Sequence, residues 1–131
     1  MKNLLYIGFL LFIIQDSLMS QISTYWIGGQ PGKSRDWNTS SNWSNSKVPN
    51  EFSDVKIVYK ESNVDCYPEI NKGSFKVHSI TIEHGASLRI QKNAELTIFY
   101  EAAADLIIEN IDIRGNLHLR YLKNKDLAAL K

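Results

Sequence analysis

The sequence predicts an all-β protein, a short parallel β-helix (β-solenoid), and the prediction rests on two patterns in residues 79–119. The first is a series of apolar pairs with one residue between the partners: Ile80/Ile82, Leu88/Ile90, Leu96/Ile98, Leu106/Ile108, Ile111/Ile113 and Leu117/Leu119. The second is the turn-forming residues between the pairs, among them Gly85, residues 91–93 and Gly115. Each pair is typical of the inward side of a short strand whose polar neighbours face water.

The spacing of the pairs favours a solenoid over the alternative fold, a β-sandwich. The strand-and-turn unit recurs about every eight residues, so three units would make one coil of roughly 24 residues. The turns also lack the two-residue Asn-Gly signal of hairpins. The predicted register places Ile82 against Leu106, Leu88 against Ile111 to Ile113, and Leu96 against Leu117 to Leu119.

Residues 1–20 have the layout of a secretory signal peptide. A basic Lys2 precedes the apolar run 4–14, and a more polar exit leads to Ser20, a small residue suited to the cleavage site. The run is too short to span a bilayer, although an uncleaved anchor helix is the alternative interpretation. We therefore expect a secreted or cell-surface protein with no membrane span after signal cleavage.

The remaining residues suit a single domain that disulfides do not hold together. The only cysteine, Cys66, cannot form an internal disulfide and is predicted to be a small buried apolar side chain. The 15 basic and 14 acidic residues give a formal net charge of +1, which offers no electrostatic basis for binding nucleic acid or an anionic membrane.

Residues 21–52 are predicted to form a Trp-rich cap that precedes the coils. The segment 22–26 is rich in strand formers and is followed by a flexible Gly-rich stretch. The polar stretch 36–43 carries Trp37 and Trp43 among Asn, Ser and Asp residues, which favour turns, so at most one helical turn is expected.

Residues 53–119 are predicted to form the coils, and 120–131 a helical or disordered tail. In the first coil strand, alternation places Val55, Ile57 and Tyr59 on one face. Pro68 confines the next strand, which includes Ile70, to an edge or a bulge. After residue 120 the sequence changes to helix formers, and a helix there would cover the open end of the solenoid.

A longer combination of motifs resembles a known family. It consists of Tyr25-Trp26-x-Gly28-Gly29, Asp36-Trp37-Asn38-x-x-x-Asn42-Trp43-Ser44, Val48-Pro49, Asp54-Val55-x-Ile57, and Ser79-Ile80-Thr81-Ile82-Glu83-x-Gly85-Ala86-x-Leu88. It is similar to the N-terminal β-helical modules of large secreted, cell-surface proteins of Bacteroidetes-type bacteria, and more weakly to the G8-type domain. The resemblance implies a β-helical, secreted module and says almost nothing about a ligand. The tail after residue 120 departs from the family, whose repeats usually continue.

Three tryptophans are the candidate binding residues: Trp26, Trp37 and Trp43. A planar indole can stack on a pyranose ring while nearby Asn and Ser side chains bond its hydroxyls. The competing hypothesis is that the three rings cover the open apolar edge of the first coil, as terminal repeats of a solenoid require. The sequence favours this capping role over sugar contact.

No catalytic, metal or cofactor motif is predicted. The alternate oxygen ligands from Asp36 to Asn42 fail the EF-hand pattern because Ser41 and Lys47 occupy the glycine and glutamate positions. The histidines lack the spacing of zinc ligands, and the carboxylates are scattered rather than paired for glycan cleavage.

These observations predict a secreted, non-catalytic structural or adhesive module of the cell surface, whose partner is a surface glycan or protein. The alternative is an accessory domain, or a truncated fragment, of a larger polysaccharide-degrading enzyme or adhesin. If its last coil is uncovered, the module is expected to self-associate through that open end.

Overall fold

The structure is a computed structural model, described here for residues 21–61, 66–100, 106–107 and 111–121. The strands in these residues are β1 (Ile22–Tyr25), β2 (Ser53–Ile57), β3 (Glu69–Val77), β4 (Ser79–Ile82), β5 (Leu88–Tyr100), β6 (Leu106–Ile107), β7 (Ile111–Ile113) and β8 (Asn116–Tyr121). A 3₁₀ turn, Ser40–Asn42, accompanies them. The all-β prediction is therefore confirmed. The predicted signal peptide and most of the predicted tail lie outside the described residues.

The strands form two sheets in which every pairing of named strands is parallel. One sheet has the order β1-β2-β4-β6, and in the other β5 pairs with β3, β7 and β8. From β2 to β7 the chain passes alternately between the two sheets. In the second sheet Phe75 pairs with Leu96 and Leu96 with Leu117, an offset of 21 residues at both steps.

The predicted register is correct in the second sheet and wrong in the first. Leu88 pairs with Ile111, and Leu96 with Leu117, as expected. Leu106, however, pairs with Ile80 rather than with Ile82. The reason is that a shift of two residues leaves the inward and outward faces of a strand unchanged, so the apolar alternation cannot distinguish the two registers.

Residues 91–93, predicted as a turn, lie inside β5, which is one strand of 13 residues. The register between β3 and β5 shifts here: Ile70 pairs with Ile90, but Lys72 pairs with Asn93. One extra residue of β5 is accommodated as a bulge, which bends the strand without ending it. The turn-forming residues of the sequence therefore mark a bend rather than a strand end.

Two further strand predictions need correction at their ends. Tyr59 was expected to share the inward face of Val55 and Ile57, but β2 ends at Ile57 and Tyr59 is half exposed. Pro68 precedes β3 instead of lying within it, so the strand keeps its full set of backbone donors.

The core is formed by the inward residues of β2 to β5, as the apolar pairs predict. Ile80, Ile82, Leu88 and Ile90 are all at most 1% exposed. Toward β7 and β8 the prediction fails, because Ile111 and Leu117 are only partly buried, and Ile113 and Leu119 are 47% and 49% exposed. Among the described strands β7 and β8 have a neighbour on one side only, so this edge of the sheet is open within the described part of the chain.

Asp112 on β7 is joined to β5 by Arg89, and it also pairs with Arg114, which directly follows β7. The Arg89 Nε donates to its Oδ2 over 2.9 Å, and the Arg114 guanidinium lies 3.2 Å from the same oxygen. The hydrogen bond from Arg89, aided by Arg114, holds the pKa of the Asp112 carboxyl below its usual value. The ion pair is therefore kept at pH values where an isolated aspartate would begin to protonate.

For Asp112→Asn we expect a loss of stability at pH 7 that shrinks in acid. A carboxylate with a lowered pKa contributes stability above its unfolded value, 3.8, and loses it as the pH falls through the folded value. Denaturant unfolding of both proteins at pH 7 and near pH 3 measures the difference, and carbon-detected NMR of Asp112 measures its pKa. A pKa at or above the unfolded value would contradict the structure.

Candidate functional site

The three tryptophans of the cap segment lie together at the β1 side of the core. Trp26, Trp37 and Trp43 are 1%, 0% and 1% exposed. Trp43 is central: its ring centroid is 4.9 Å from that of Trp26 and 4.7 Å from that of Trp37, both in T-shaped geometry. All three belong to the same buried cluster as the strand residues. This is the position that a cap over the core requires.

Hydrogen bonds hold the tryptophan cluster in place. The Trp26 Nε1–H donates to the Cys66 carbonyl oxygen over 2.6 Å, and the Trp43 Nε1–H donates to the Trp37 carbonyl oxygen over 2.8 Å. Cys66 itself is a free thiol and is only partly buried, less than predicted. Because the indole faces are covered, the sugar-stacking hypothesis for these three residues has no geometric support here.

Asn42 organises the loop that carries the cluster, a role that the sequence analysis missed. Its buried side-chain amide donates to the carbonyl oxygens of Lys33 and Asp36 over 2.7 and 3.1 Å, and its Oδ1 accepts from the backbone N–H of Gln30 over 3.1 Å. The signal was present in the sequence: an Asn directly before a buried Trp, within a turn-rich stretch.

The loop 32–38 packs against the start of β3 and leaves a cleft of about 470 Å³. Backbone pairing fixes this arrangement, since the Glu69 N–H donates to the Arg35 carbonyl oxygen over 2.7 Å and the Trp37 N–H donates to the Glu69 carbonyl oxygen over 3.1 Å. The cleft is lined from the loop by Gly32, Lys33, Ser34, Arg35, Asp36, Trp37 and Asn38, and from β3 by Ile70, Asn71, Lys72 and Phe75.

Basic groups dominate the electrostatics of the cleft. Lys33 and Lys72 are exposed, and neither forms an ion pair within the described part of the chain. Arg35 lies 3.4 Å from Glu69. The carboxylate of Asp36 is turned to its own loop, where it accepts from the Asn38 N–H over 3.2 Å and the Thr39 hydroxyl over 2.7 Å. Three basic side chains and one carboxylate therefore line the cleft.

Two of the lining residues hold buried donors that have no acceptor among the residues described. These are the Nε of Arg35 and the Nε1 of Trp37. A buried donor without a partner costs about 1–3 kcal/mol, so such groups are rare and call for an explanation. A second cavity, lined mainly by residues of β1, β2 and β4, contains neither of these donors.

A second polar cluster joins β2 to the start of β4. Asp54 Oδ1 lies 2.8 Å from the His78 Nδ1 and accepts from the Ser79 hydroxyl over 2.5 Å, while Gln21 Nε2 lies 3.2 Å from the His78 Nε2. The serine donates to the carboxylate, so its proton is not directed at the imidazole as a nucleophile–base pair needs. The arrangement ties the two strands together, and no cluster of metal ligands is found in the described residues.

The comparisons with known proteins add no relative. No protein-family model, curated protein or solved structure matches this chain. Within the described ranges, no helix is both long and apolar enough to cross a membrane. The function must therefore be inferred from the fold and from the cleft.

Proposed function

We propose that this protein is a secreted, non-catalytic β-solenoid module of the cell surface, which displays a binding surface for a glycan or a protein on a rigid strand scaffold. The observation that carries the proposal is the pairing pattern. Every named strand pairs in parallel, the chain alternates between two sheets, and the 21-residue offset recurs in the second sheet. Stacked coils account for all three features, whereas the sheets of a β-sandwich are antiparallel.

Two carboxylates with lowered pKa values support the proposal that the module is not catalytic. The backbone N–H of Tyr59 and the Lys56 side chain lower the pKa of the Glu83 carboxyl, just as Arg89 lowers that of Asp112. A general acid for glycan cleavage needs a pKa raised toward neutrality. Carboxylates with lowered pKa values instead suit a role in joining neighbouring strands.

The open edge at β8 supports self-association as part of the same proposal. Leu119 and Tyr121 are about half exposed there, and the Tyr121 ring lies 5.4 Å from the Tyr100 ring on β5 in T-shaped geometry. An exposed strand edge is a template for a further strand, so a second copy is the partner we assign to it. An accessory domain or a fragment of a larger polysaccharide-degrading enzyme or adhesin remains the alternative function.

The solenoid pairing predicts which engineered cysteines cross-link. In a Cys66→Ala background, Lys76→Cys with Thr97→Cys should form a disulfide readily, because these residues are direct partners on β3 and β5. Lys76→Cys with Glu95→Cys is the matched control, displaced by two positions along β5. Gel mobility under oxidising conditions gives the yield, and equal yields from the two pairs would contradict the parallel register.

The function itself is tested on intact cells and on the purified chain. We expect an epitope tag placed after residue 131 to be accessible to antibody on unbroken cells, and the chain to bind its ligand without changing it. Size analysis of polysaccharides after long incubation checks the second point. Shortening of any polysaccharide by the purified chain would overturn the non-catalytic proposal, and a tag confined to the cell interior would overturn the location.

A further inference from the structure

We infer that the cleft between loop 32–38 and the start of β3 binds an anionic saccharide through its carboxylate or sulfate groups. An anionic saccharide would then be the ligand that the module displays its surface to, so this inference rests on the display function proposed above. It differs from the tryptophan stacking predicted from the sequence, because the ligand contacts the rim and floor of the cleft and not an exposed indole face.

The charges that border the cleft favour an anionic ligand. Lys33 comes from the loop and Lys72 from β3, and both exposed ammonium groups border the same cleft without an ion-pair partner in the described chain. The single lining carboxylate, Asp36, has hydrogen bonds to its own loop on both oxygens. An anionic group entering the cleft therefore meets two uncompensated cations.

Two residues that line the cleft also hold hydrogen-bond donors without acceptors in the described chain. The Arg35 Nε and the Trp37 Nε1 are both buried without an acceptor, and both residues line this cleft. A carboxylate or sulfate supplies several acceptor oxygens and can satisfy more than one donor at once. Both nitrogens are buried, so a ligand oxygen would reach either donor only if the side chains that cover it move, and would then recover part of the cost of leaving it unpaired.

The remaining wall of the cleft has a composition that suits a sugar ring. Phe75 packs against Trp37, with ring centroids 6.3 Å apart, and forms an apolar side together with Ile70. Asn38 and Asn71 also line the cleft, and both residues are exposed. An apolar side with amide groups beside it suits a sugar ring, which has an apolar face and hydroxyls at its edge.

The size of the cleft is consistent with such a ligand. Small-molecule sites in proteins occupy about 300–1,000 Å³, and the cleft has about 470 Å³. The anionic groups would then lie toward Lys33 and Lys72, and the ring toward Phe75. This arrangement distinguishes an anionic saccharide from a neutral one, which would leave the two ammonium groups and the buried donors without anionic partners.

The test compares labelled probes on the mature chain by fluorescence polarisation. The probes are a galacturonic acid hexamer, a heparin hexasaccharide, neutral maltohexaose and a hexaglutamate peptide. We expect at least one acidic saccharide to bind about tenfold tighter than maltohexaose and the peptide, and its affinity to fall as salt is raised. The two acidic saccharides separate a carboxylate preference from a sulfate preference.

The double variant Lys33→Glu/Lys72→Glu is expected to weaken binding of the acidic saccharide about tenfold, because two attractions become repulsions. Lys47→Glu is the matched control: Lys47 is also exposed, lies outside the cleft, and its replacement changes the net charge in the same direction. Both variants alter exposed side chains, so thermal unfolding should match wild type. Lys33→Arg/Lys72→Arg should retain binding.

Three outcomes would overturn the inference. The first is that Lys47→Glu weakens binding of the acidic saccharide as much as the double variant does. The others are that maltohexaose or the peptide binds more tightly than the acidic saccharides, and that neither acidic saccharide binds. None of these outcomes would contradict the proposed display function, which would then involve a different ligand. Shortening of a saccharide probe by the chain would instead overturn the proposed non-catalytic function, so the two failures are distinguishable.

Discussion

Replacement of Trp43 by alanine is expected to lower the free energy of unfolding by about 3–5 kcal/mol, the range for deleting a buried aromatic ring. Trp43 is 1% exposed and lies between Trp26 and Trp37, so its removal leaves a cavity and deprives both neighbours of an aromatic contact. It also removes the donor to the Trp37 carbonyl oxygen. Denaturant unfolding followed by far-UV circular dichroism measures the change.

Two controls make the Trp43 result specific. Trp43→Phe keeps an aromatic ring but not the Nε1 donor, so it should cost clearly less than alanine. Tyr25→Ala removes an aromatic ring that is 53% exposed in the neighbouring strand and should change stability by less than about 1 kcal/mol. A Trp43→Ala protein as stable as the Tyr25→Ala protein would show that the indole cluster is not part of the folded core.

Gly115→Ala is expected to displace the strands at the open edge, with a loss of about 3 kcal/mol, the upper part of the usual range for overpacking. A Cβ at this position would overlap the backbone carbonyl oxygens of Gln91 and Ala94. Backbone atoms cannot rotate away as side chains do, so β7 and β8 must separate from the bulge of β5. Hydrogen exchange at the amides of β8, together with denaturant unfolding, tests this expectation.

Gly29→Ala is the matched control for Gly115. Gly29 has φ +80°, a left-handed conformation that costs an alanine about 1–2 kcal/mol, but an added Cβ would meet no atom within 4 Å. Its effect should therefore be smaller, and β8 should stay protected. Exchange at β8 that is equally slow in wild type and in Gly115→Ala would show that β7 and β8 do not pack against the bulge as described.

Much of the fold could be predicted because the inward residues obey a simple alternation. Ile80, Ile82, Leu88 and Ile90 are buried as the pattern requires. The same alternation predicted burial for Ile113 and Leu119, which are exposed. The pattern shows which face of a strand is apolar, but burial also needs a neighbouring layer, and the presence of that layer cannot be deduced from the strand itself.

Less of the candidate site than of the fold could be predicted from the sequence. The turn-rich tryptophan motif correctly indicated turns with at most one helical turn, yet only the fold shows that the three indoles are buried and pack edge to face. Lys33 and Lys72 are far apart in the sequence and neither belongs to a motif. They border one cleft because the backbone of loop 32–38 pairs with Glu69, a long-range contact that no local pattern encodes.

The parallel pairing has a consequence for the order in which the molecule can fold. Later strands of the second sheet find their partners about 21 residues earlier in the chain, as Leu96 finds Phe75 and Leu117 finds Leu96. The loop that must close is therefore similar in length at each step, and its entropic cost stays nearly constant. A chain that emerges amino end first can thus fold vectorially, each finished strand serving as the template on which the next one forms.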